Sequence, residues 1–177
     1  METTDVLVIG AGPAGCIAAS MLKQQGYNIK MVEKEKFPRF VIGESLLPRV
    51  MDHLDEAGYL EDIKAAGFQE KFGAKFLRGD EVCDFNFSDQ FSNGWTWTWQ
   101  VPRGKFDQIL SNGAKKMGID LEFETAVEHI EFNGTDSVTT VVDADGNKKE
   151  IAAKFIVDAS GYGRVIPRMF NLDEPSN

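Results

Sequence analysis

The sequence is poor in the residues that staple small proteins or hold metals. Only two of its 177 residues are cysteine, Cys16 and Cys83, and no CxxC pair occurs. The two histidines, His53 and His129, stand alone. A disulfide framework, a zinc site and a Ser/His/Asp triad are therefore not expected, and no metal is assigned. Long apolar runs are also missing, which argues against a membrane span. The start, Met1-Glu2-Thr3-Thr4-Asp5, lacks the basic residues of a secretory leader, and the apolar stretch after it is broken by glycines. A cytoplasmic protein without stable membrane insertion is expected. Basic residues are outnumbered 19 to 28, and a net charge of -9 argues against nucleic-acid binding. Repeats, low-complexity segments and linkers are absent as well, and only Asp173 to Asn177 reads as a loose tail. The length suits one domain with a real core.

What is present begins at once. Asp5-Val-Leu-Val-Ile9 is a short β-branched run of the kind buried in parallel sheets. Gly10-Ala-Gly-Pro-Ala-Gly15 follows, then a helix over Cys16 to Gln25 with Ile17, Ala18, Met21 and Leu22 on one face, stopping at Gly26. Asn28 to Glu33 reads as a second strand. This βαβ unit, residues 5–33, carries the G-x-G-x-x-G pattern in its mechanical context. Gly10 permits the tight turn, Gly12 leaves room for a pyrophosphate, and Gly15 lets the helix lie close to the sheet. Pro13, Ala14 and the helix N-terminus present positive dipole to the phosphates. Glu33, at the end of the second strand, can accept both ribose hydroxyls of an adenosine and disfavours a 2′-phosphate. The loop by itself does not separate FAD from NAD.

The middle is less regular. Leu47 to Ala66 reads as helical in two pieces, with Leu47, Val50, Met51 and Leu54 sharing a face. Phe72 to Leu77, Val82 to Phe87 and Trp95 to Val101 read as strands, the last alternating Trp95, Trp97 and Trp99 against Thr96, Thr98 and Gln100. The tryptophans can line an aromatic-substrate pocket or, for at least half of the stripe, pack in a core. Phe106 to Met117 is an amphipathic helix, and Leu121 to Phe123 returns to the parallel sheet. Val127 to Phe132, Val138 to Asp143 and Lys148 to Ala152 form a meander with turns at Asn133-Gly134 and Asp145-Gly146. Lys154 to Asp158 is a further strand ending in a turn at Ala-Ser-Gly161.

Four segments in this order carry a family resemblance: the glycine loop, Glu33-Lys-Glu-Lys-Phe-Pro-Arg39 running on to Ile42-Gly-Glu-Ser-Leu-Leu-Pro48, Val101-Pro-Arg103 to Leu110, and Asp158-Ala-Ser-Gly-Tyr-Gly-Arg164. Together the chain resembles the flavoprotein monooxygenase superfamily typified by p-hydroxybenzoate hydroxylase. Within it the flavin-dependent halogenase and geranylgeranyl-reductase-like branch looks closest, above all in the phrase FPRFVIGESLLP. The resemblance implies an α/β fold: a Rossmann-like FAD/NAD(P)-binding domain with a parallel sheet, a β-meander crossover and part of a β-rich substrate region. It implies FAD as cofactor. Arg39 would lie near its phosphates, with Lys34 in the same segment, or be a surface arginine after a Pro turn. Gly43, Glu44 and Ser45 would approach the isoalloxazine, and Ser45 equally reads as the N-cap of a helix from Leu46. Arg103 would contact the ribityl–phosphate region, and Asp107 would cap or orient the helix start. Asp158 and Gly161 would match the DG-type motif at 158–164, Asp158 reading otherwise as a turn residue.

Lys71 is the candidate catalytic residue. Phe68-Gln-Glu-Lys71-Phe-Gly73 resembles the F-x-x-K-x-G pattern of the halogenases, whose lysine takes hypohalous acid made at the flavin and directs it to an aromatic substrate. The plainer reading is a solvated lysine on a strand edge.

The organisation expected is the N-terminal part of an FAD-binding domain: βαβ at 5–33, inserted strands and helices at 40–101, a helix at 106–117, the meander at 127–152 and the motif at 158–164. A substrate domain and a second FAD motif are not seen after Arg164. The implied function is the FAD-binding part of a flavin-dependent oxidoreductase, monooxygenase or halogenase in type, acting on a small, possibly aromatic substrate. NAD(P)H or a separate flavin reductase would supply electrons. The alternatives are a C=C reductase acting on prenyl-type lipids and a non-catalytic nucleotide-binding fragment.

Overall fold

The computed structural model describes residues 1–172 and 174. Apart from Glu174, the tail expected at Asp173 to Asn177 lies outside the described residues. The chain opens with β1 (Glu2–Ile9), α1 (Pro13–Gln24) and β2 (Ile29–Val32). Two short helices follow, α2 (Arg49–Glu56) and α3 (Leu60–Ala65), then β3 (Gln69–Lys71), β4 (Gly73–Arg78), β5 (Glu81–Asn86) and β6 (Thr98–Gln100). The remainder is α4 (Arg103–Lys116), β7 (Asp120–Glu122), β8 (Ala126–Asn133), β9 (Asp136–Val142), β10 (Lys148–Asp158) and α5 (Val165–Met169). A six-stranded sheet in the order β7-β2-β1-β10-β9-β8 organises them, with β7, β2, β1 and β10 parallel and β9 and β8 antiparallel. This is the Rossmann-like α/β fold with its meander.

The strands of the sheet's centre are apolar on both sides, as parallel strands between two layers must be. Val6, Val8, Ile29, Met31 and Leu121 enter one core with α1 to α4, while Leu7, Ile9 and Val32 enter a second with Ile130, Val141 and Ile151 of the meander. Each such fully buried side chain contributes about 1.5–3 kcal/mol. In the first core the Tyr59 ring packs where a side chain on Gly113 of α4 would stand, since a Cβ there would lie 2.6 Å from the ring. Its hydroxyl reaches Ser20 and the Cys16 carbonyl of α1.

Several expectations are corrected. The most deeply buried residues of α1 are Gly15, Cys16, Ala19 and Ser20; of the expected face, Ile17 and Leu22 pack partly against the core, while Met21 is exposed. Close approach to the Gly10 turn selects the smallest residue at Gly15. The helix also starts earlier, at Pro13, where proline's missing N–H costs no helical bond. The separate strands expected at Lys148 to Ala152 and Lys154 to Asp158 are one strand: Ile151 to Ala153 pair with β1 and β9 at once. The strand expected over Trp95 to Val101 is regular only at Thr98–Gln100, though the tryptophans do share a side, Trp97 standing edge-on to both neighbours at 5.8 and 5.0 Å. Trp99 is buried core and the other two pack partly against it. Ser45 is not a helix cap, because α2 begins at Arg49 and Ser45 instead bridges to Gln100. Asp107 does not cap α4 either; the helix starts at Arg103, and Asp107 lies one turn inside it, buried.

Two features lie away from the centre. Lys30 is buried at the base of the sheet among Glu2, Asp120 and Glu122, with Lys149 also on Glu122. Burial opposes its charge, but the three carboxylates outweigh that and hold the ammonium above the usual lysine range. The β4–β5 hairpin shows Phe76, Leu77, Val82 and Phe85 more than half exposed. No described helix is long and apolar enough to cross a membrane, and no described cluster of His, Cys, Asp or Glu could hold a metal ion.

Candidate functional site

A cleft of about 530 Å³ opens at the carboxyl ends of β1, β2 and β10, where ligands of open α/β sheets bind. Its floor is the glycine loop. Gly10 turns the chain at φ +100°, donates to the Val32 carbonyl at 2.8 Å, and lies so close to the 159–160 backbone that a Cβ would stand 2.6 Å from the Ala159 oxygen. A Cβ on Gly15 would stand 2.0 Å from the Gly10 oxygen, so this glycine fixes the helix against the turn. Gly12 differs. A Cβ there would meet only Arg39 Nη2, at 3.7 Å, so the space above it is open. No side chain caps the helix N-terminus, which leaves its dipole and first amides directed at the cleft.

Glu33, at the end of β2, is buried, and its two oxygens accept from the Ala11 and Glu35 amides at 2.9 Å each. A carboxylate has about four acceptor sites, so these bonds orient it and leave capacity for a diol. Its charge, after burial and that of Asp107, helps push the Cys16 thiol up beneath the loop. Lys34 and Glu35 continue the wall. Arg39 lines the cleft, ion-paired with Glu35 at 3.2 Å and Asp107 at 3.4 Å and lying over the Phe37 ring.

Arg103 also lines the cleft, but most of its donors are engaged. Nε and Nη2 grip Asp107 at 2.8 and 3.1 Å, and Nη1 donates to the Ile42 and Gly43 carbonyls at 3.3 and 3.2 Å. Gly43, at φ +110°, would bring a Cβ to 3.1 Å of that nitrogen. Glu44 and Leu46 pair through their backbones with Val101 and Trp99. Among the described residues the cleft lining runs to Ile42, and Gly43, Glu44 and Ser45 sit beside it, joined to it through Arg103.

Asp158 is brought to the cleft's rim, yet its carboxylate points into the following loop. It accepts from the Ser160 amide at 3.0 Å and the Ile166 amide at 2.8 Å, holding the turn and the start of α5. The loop it shapes, Ala159 to Gly163, supplies the wall opposite Glu33, Gly161 included. Lys71 lies elsewhere, on β3. Its ammonium donates to the Ser45 hydroxyl and to the Leu46 carbonyl (2.9 Å), and it stands 5.1 Å from the centre of the Phe87 ring. Loss of hydration lowers its pKa from the usual lysine value.

Sequence reasoning missed the strip Thr125 to Val127, which lines the cleft beside Glu33, and Tyr162 on the opposite loop. The strip carries no glycine or charge to mark it; its only signal is its place directly after β7. Of the two roles expected for Asp107, capping is not found, whereas it does hold the helix start by gripping Arg103 at the spacing of a helical ion pair.

From end to end, the cleft offers a buried carboxylate, an uncapped helix N-terminus with an open glycine, and a guanidinium, walled by Ile9, Val32 and Val127. That donor set suits the ribose, pyrophosphate and adenine of a dinucleotide. Comparison with known proteins gives the same answer. A tryptophan 2-halogenase of Chondromyces crocatus is 36% identical over 90% of this chain and 30% of its own length. A flavoprotein/dehydrogenase structure from Cytophaga hutchinsonii superposes with a TM-score of 0.95 at 68% identity, covering 99% of this chain and 44% of that one. The flavin-dependent halogenase CmlS gives a TM-score of 0.87 at 33% identity over 97% of this chain and 32% of its own. The chain thus spans under half the length of each. The family described as FAD binding domain matches residues 3–169, and the chain belongs to that family, with FAD as its dinucleotide.

Proposed function

We propose that this chain is the FAD-binding part of a flavin-dependent oxidoreductase of the halogenase type, acting on a small organic substrate in the cytoplasm. The observation that carries the reading is the cleft itself, which joins Glu33, the open Gly12, Arg39 and the Ala159–Gly163 loop in one volume. Glu33 accepts the ribose hydroxyls, the α1 N-terminus and Arg39 take the pyrophosphate, and the Ile9, Val32 and Val127 wall covers the adenine. Lys34 adds positive charge at the mouth. FAD, when bound, supplies the two-electron redox chemistry, and the protein orients it and limits water. Electrons come from NAD(P)H or a separate flavin reductase.

The loop Gly43-Glu44-Ser45 lies between the cleft and Lys71, and Ser45 holds the Lys71 ammonium. That link supports Lys71 as the residue that carries the oxidised halide toward an aromatic substrate. A second domain completing the flavin ring site belongs to this reading.

The first test is binding. The purified chain with added FAD should show quenched flavin fluorescence and a raised melting temperature. A colourless chain whose melting is indifferent to FAD overturns the proposal and leaves a non-catalytic fragment. The second uses an enzyme of the relatives' length carrying this segment. Halide-dependent product from an aromatic substrate, lost in Lys71→Ala, supports the halogenase type, and alkene reduction without a halide effect overturns it.

A further inference from the structure

The two arginines of the cleft share one buried carboxylate. Asp107 is 1% exposed, and both guanidiniums converge on it, Arg103 in a two-pronged grip and Arg39 at 3.4 Å. A guanidinium has five N–H donors. Arg103 spends four on the protein, two on Asp107 and two on the carbonyls of Ile42 and Gly43. It acts as a clamp that ties the loop before Glu44 to the start of α4. Arg39 is held differently. Nε faces Glu35, Nη1 faces Asp107, and Nη2 is the nitrogen nearest the open space above Gly12.

We infer that Asp107 is a positioning residue for the cofactor's pyrophosphate: it turns Arg39 so that Nη2 faces the glycine loop, and it confines Arg103 to the clamp. This rests on the reading of the cleft as the FAD site and assigns its two arginines different work. A planar donor fork binds phosphate well only when its orientation is set beforehand, because the cost of ordering it is then already met in the free protein. The side chains of Arg39 and Arg103 are 16% and 15% exposed, so neither is free to search for an anion from solvent.

Titration calorimetry with ADP and with adenosine separates positioning from mere support of the fold, because adenosine lacks the pyrophosphate. Asp107→Asn and Arg39→Gln should each weaken ADP binding at least about tenfold, the scale of one lost charge-assisted hydrogen bond. Adenosine binding should stay within about twofold of wild type. The double variant should bind ADP no more weakly than the weaker single one, since Asp107 acts through Arg39. Equal loss for both ligands, no loss for ADP, or additive losses overturn the inference. A readout without ligand accompanies these. In the free wild-type chain, the Nε–H signals of Arg39 and Arg103, assigned with Arg39→Gln and Arg103→Gln, should be resolved and slow to exchange with water. Rapid exchange of both overturns the inference even if Asp107→Asn fails to fold. Wild-type chain that ignores ADP refutes the FAD reading and the inference with it, whereas ADP binding by wild type that Asp107→Asn leaves intact overturns the inference alone.

Discussion

Changing Gly15 to alanine should loosen the fold, whereas changing Gly12 to alanine should spare the fold and damage FAD binding. A Cβ on Gly15 would lie 2.0 Å from the Gly10 oxygen and 3.3 Å from the Ala159 side chain, and the first is a backbone atom that cannot rotate away. Overpacking of this kind costs about 1–3 kcal/mol, and the upper end applies where backbone must move. Alanine recovers up to about 1 kcal/mol through helix propensity, leaving roughly 2 kcal/mol. For a chain of this size that is a melting decrease of about 4–8 °C. At Gly12 the nearest atom is Arg39 Nη2 at 3.7 Å, an ordinary contact. Weaker N-capping by alanine costs at most about 1 kcal/mol there. The added methyl group nevertheless occupies the space left for the pyrophosphate. A tenfold loss of FAD affinity removes about 1.4 kcal/mol of the stabilisation by saturating ligand. Differential scanning fluorimetry of both variants with and without FAD tests the pair. If Gly12→Ala melts as low as Gly15→Ala in the free state, or gains as much from FAD as wild type, the division of labour within the loop is wrong.

Two further outcomes are expected. Glu122 is partly buried, which raises its pKa, but Lys149 and Lys30 more than reverse this and hold it below the usual carboxylate value of 4.5. Its contribution is therefore present above about pH 4.5 and is lost as the pH falls through the lower folded-state value. Thermal melts across that acid range should show a shallower decline for Glu122→Gln than for wild type, and an unchanged slope would remove Glu122 from the acid response. Tyr59→Phe should cost about 1–2 kcal/mol, because it leaves the buried Ser20 hydroxyl without its partner; urea denaturation measures this, and a neutral result would show that Ser20 re-pairs.

Much of the fold was legible because its signals are local. The β-branched run before Gly10, the stop at Gly26 and the turns at Asn133-Gly134 and Asp145-Gly146 each follow from the chemistry of a few adjacent residues. What escaped depends on partners distant in sequence. The buried face of α1 was assigned only in part: Ile17 and Leu22 pack against the core as expected, whereas Gly15 is buried because contact with the Gly10 turn admits only the smallest residue. The continuity of β10 was hidden because β9 pairs with residues 148–153 and β1 with 151–158, the two overlapping only at Ile151 to Ala153. In the cleft, the positions of Gly12 and Glu33 follow from motif spacing, and that of Arg39 from the resemblance of its segment to a known family. That the Asp158 carboxylate serves backbone amides, and that Asp107 gathers two arginines, could be read only from three-dimensional contacts.

The pairing of Ile9 with Asp158 also sets a schedule. The two rims of the cleft, Gly10–Gly15 and Ala159–Gly163, are far apart in the sequence, and synthesis makes the first well before the second. At 5–20 residues per second the nascent chain carries the first rim for on the order of 10 s before its companion exists. During that interval β1 has β2 as a parallel neighbour but nothing on its other edge. A complete cleft therefore exists only once β10 and the loop after it have been made, and a ribosome stalled before β10 would display the glycine loop without the wall that completes it.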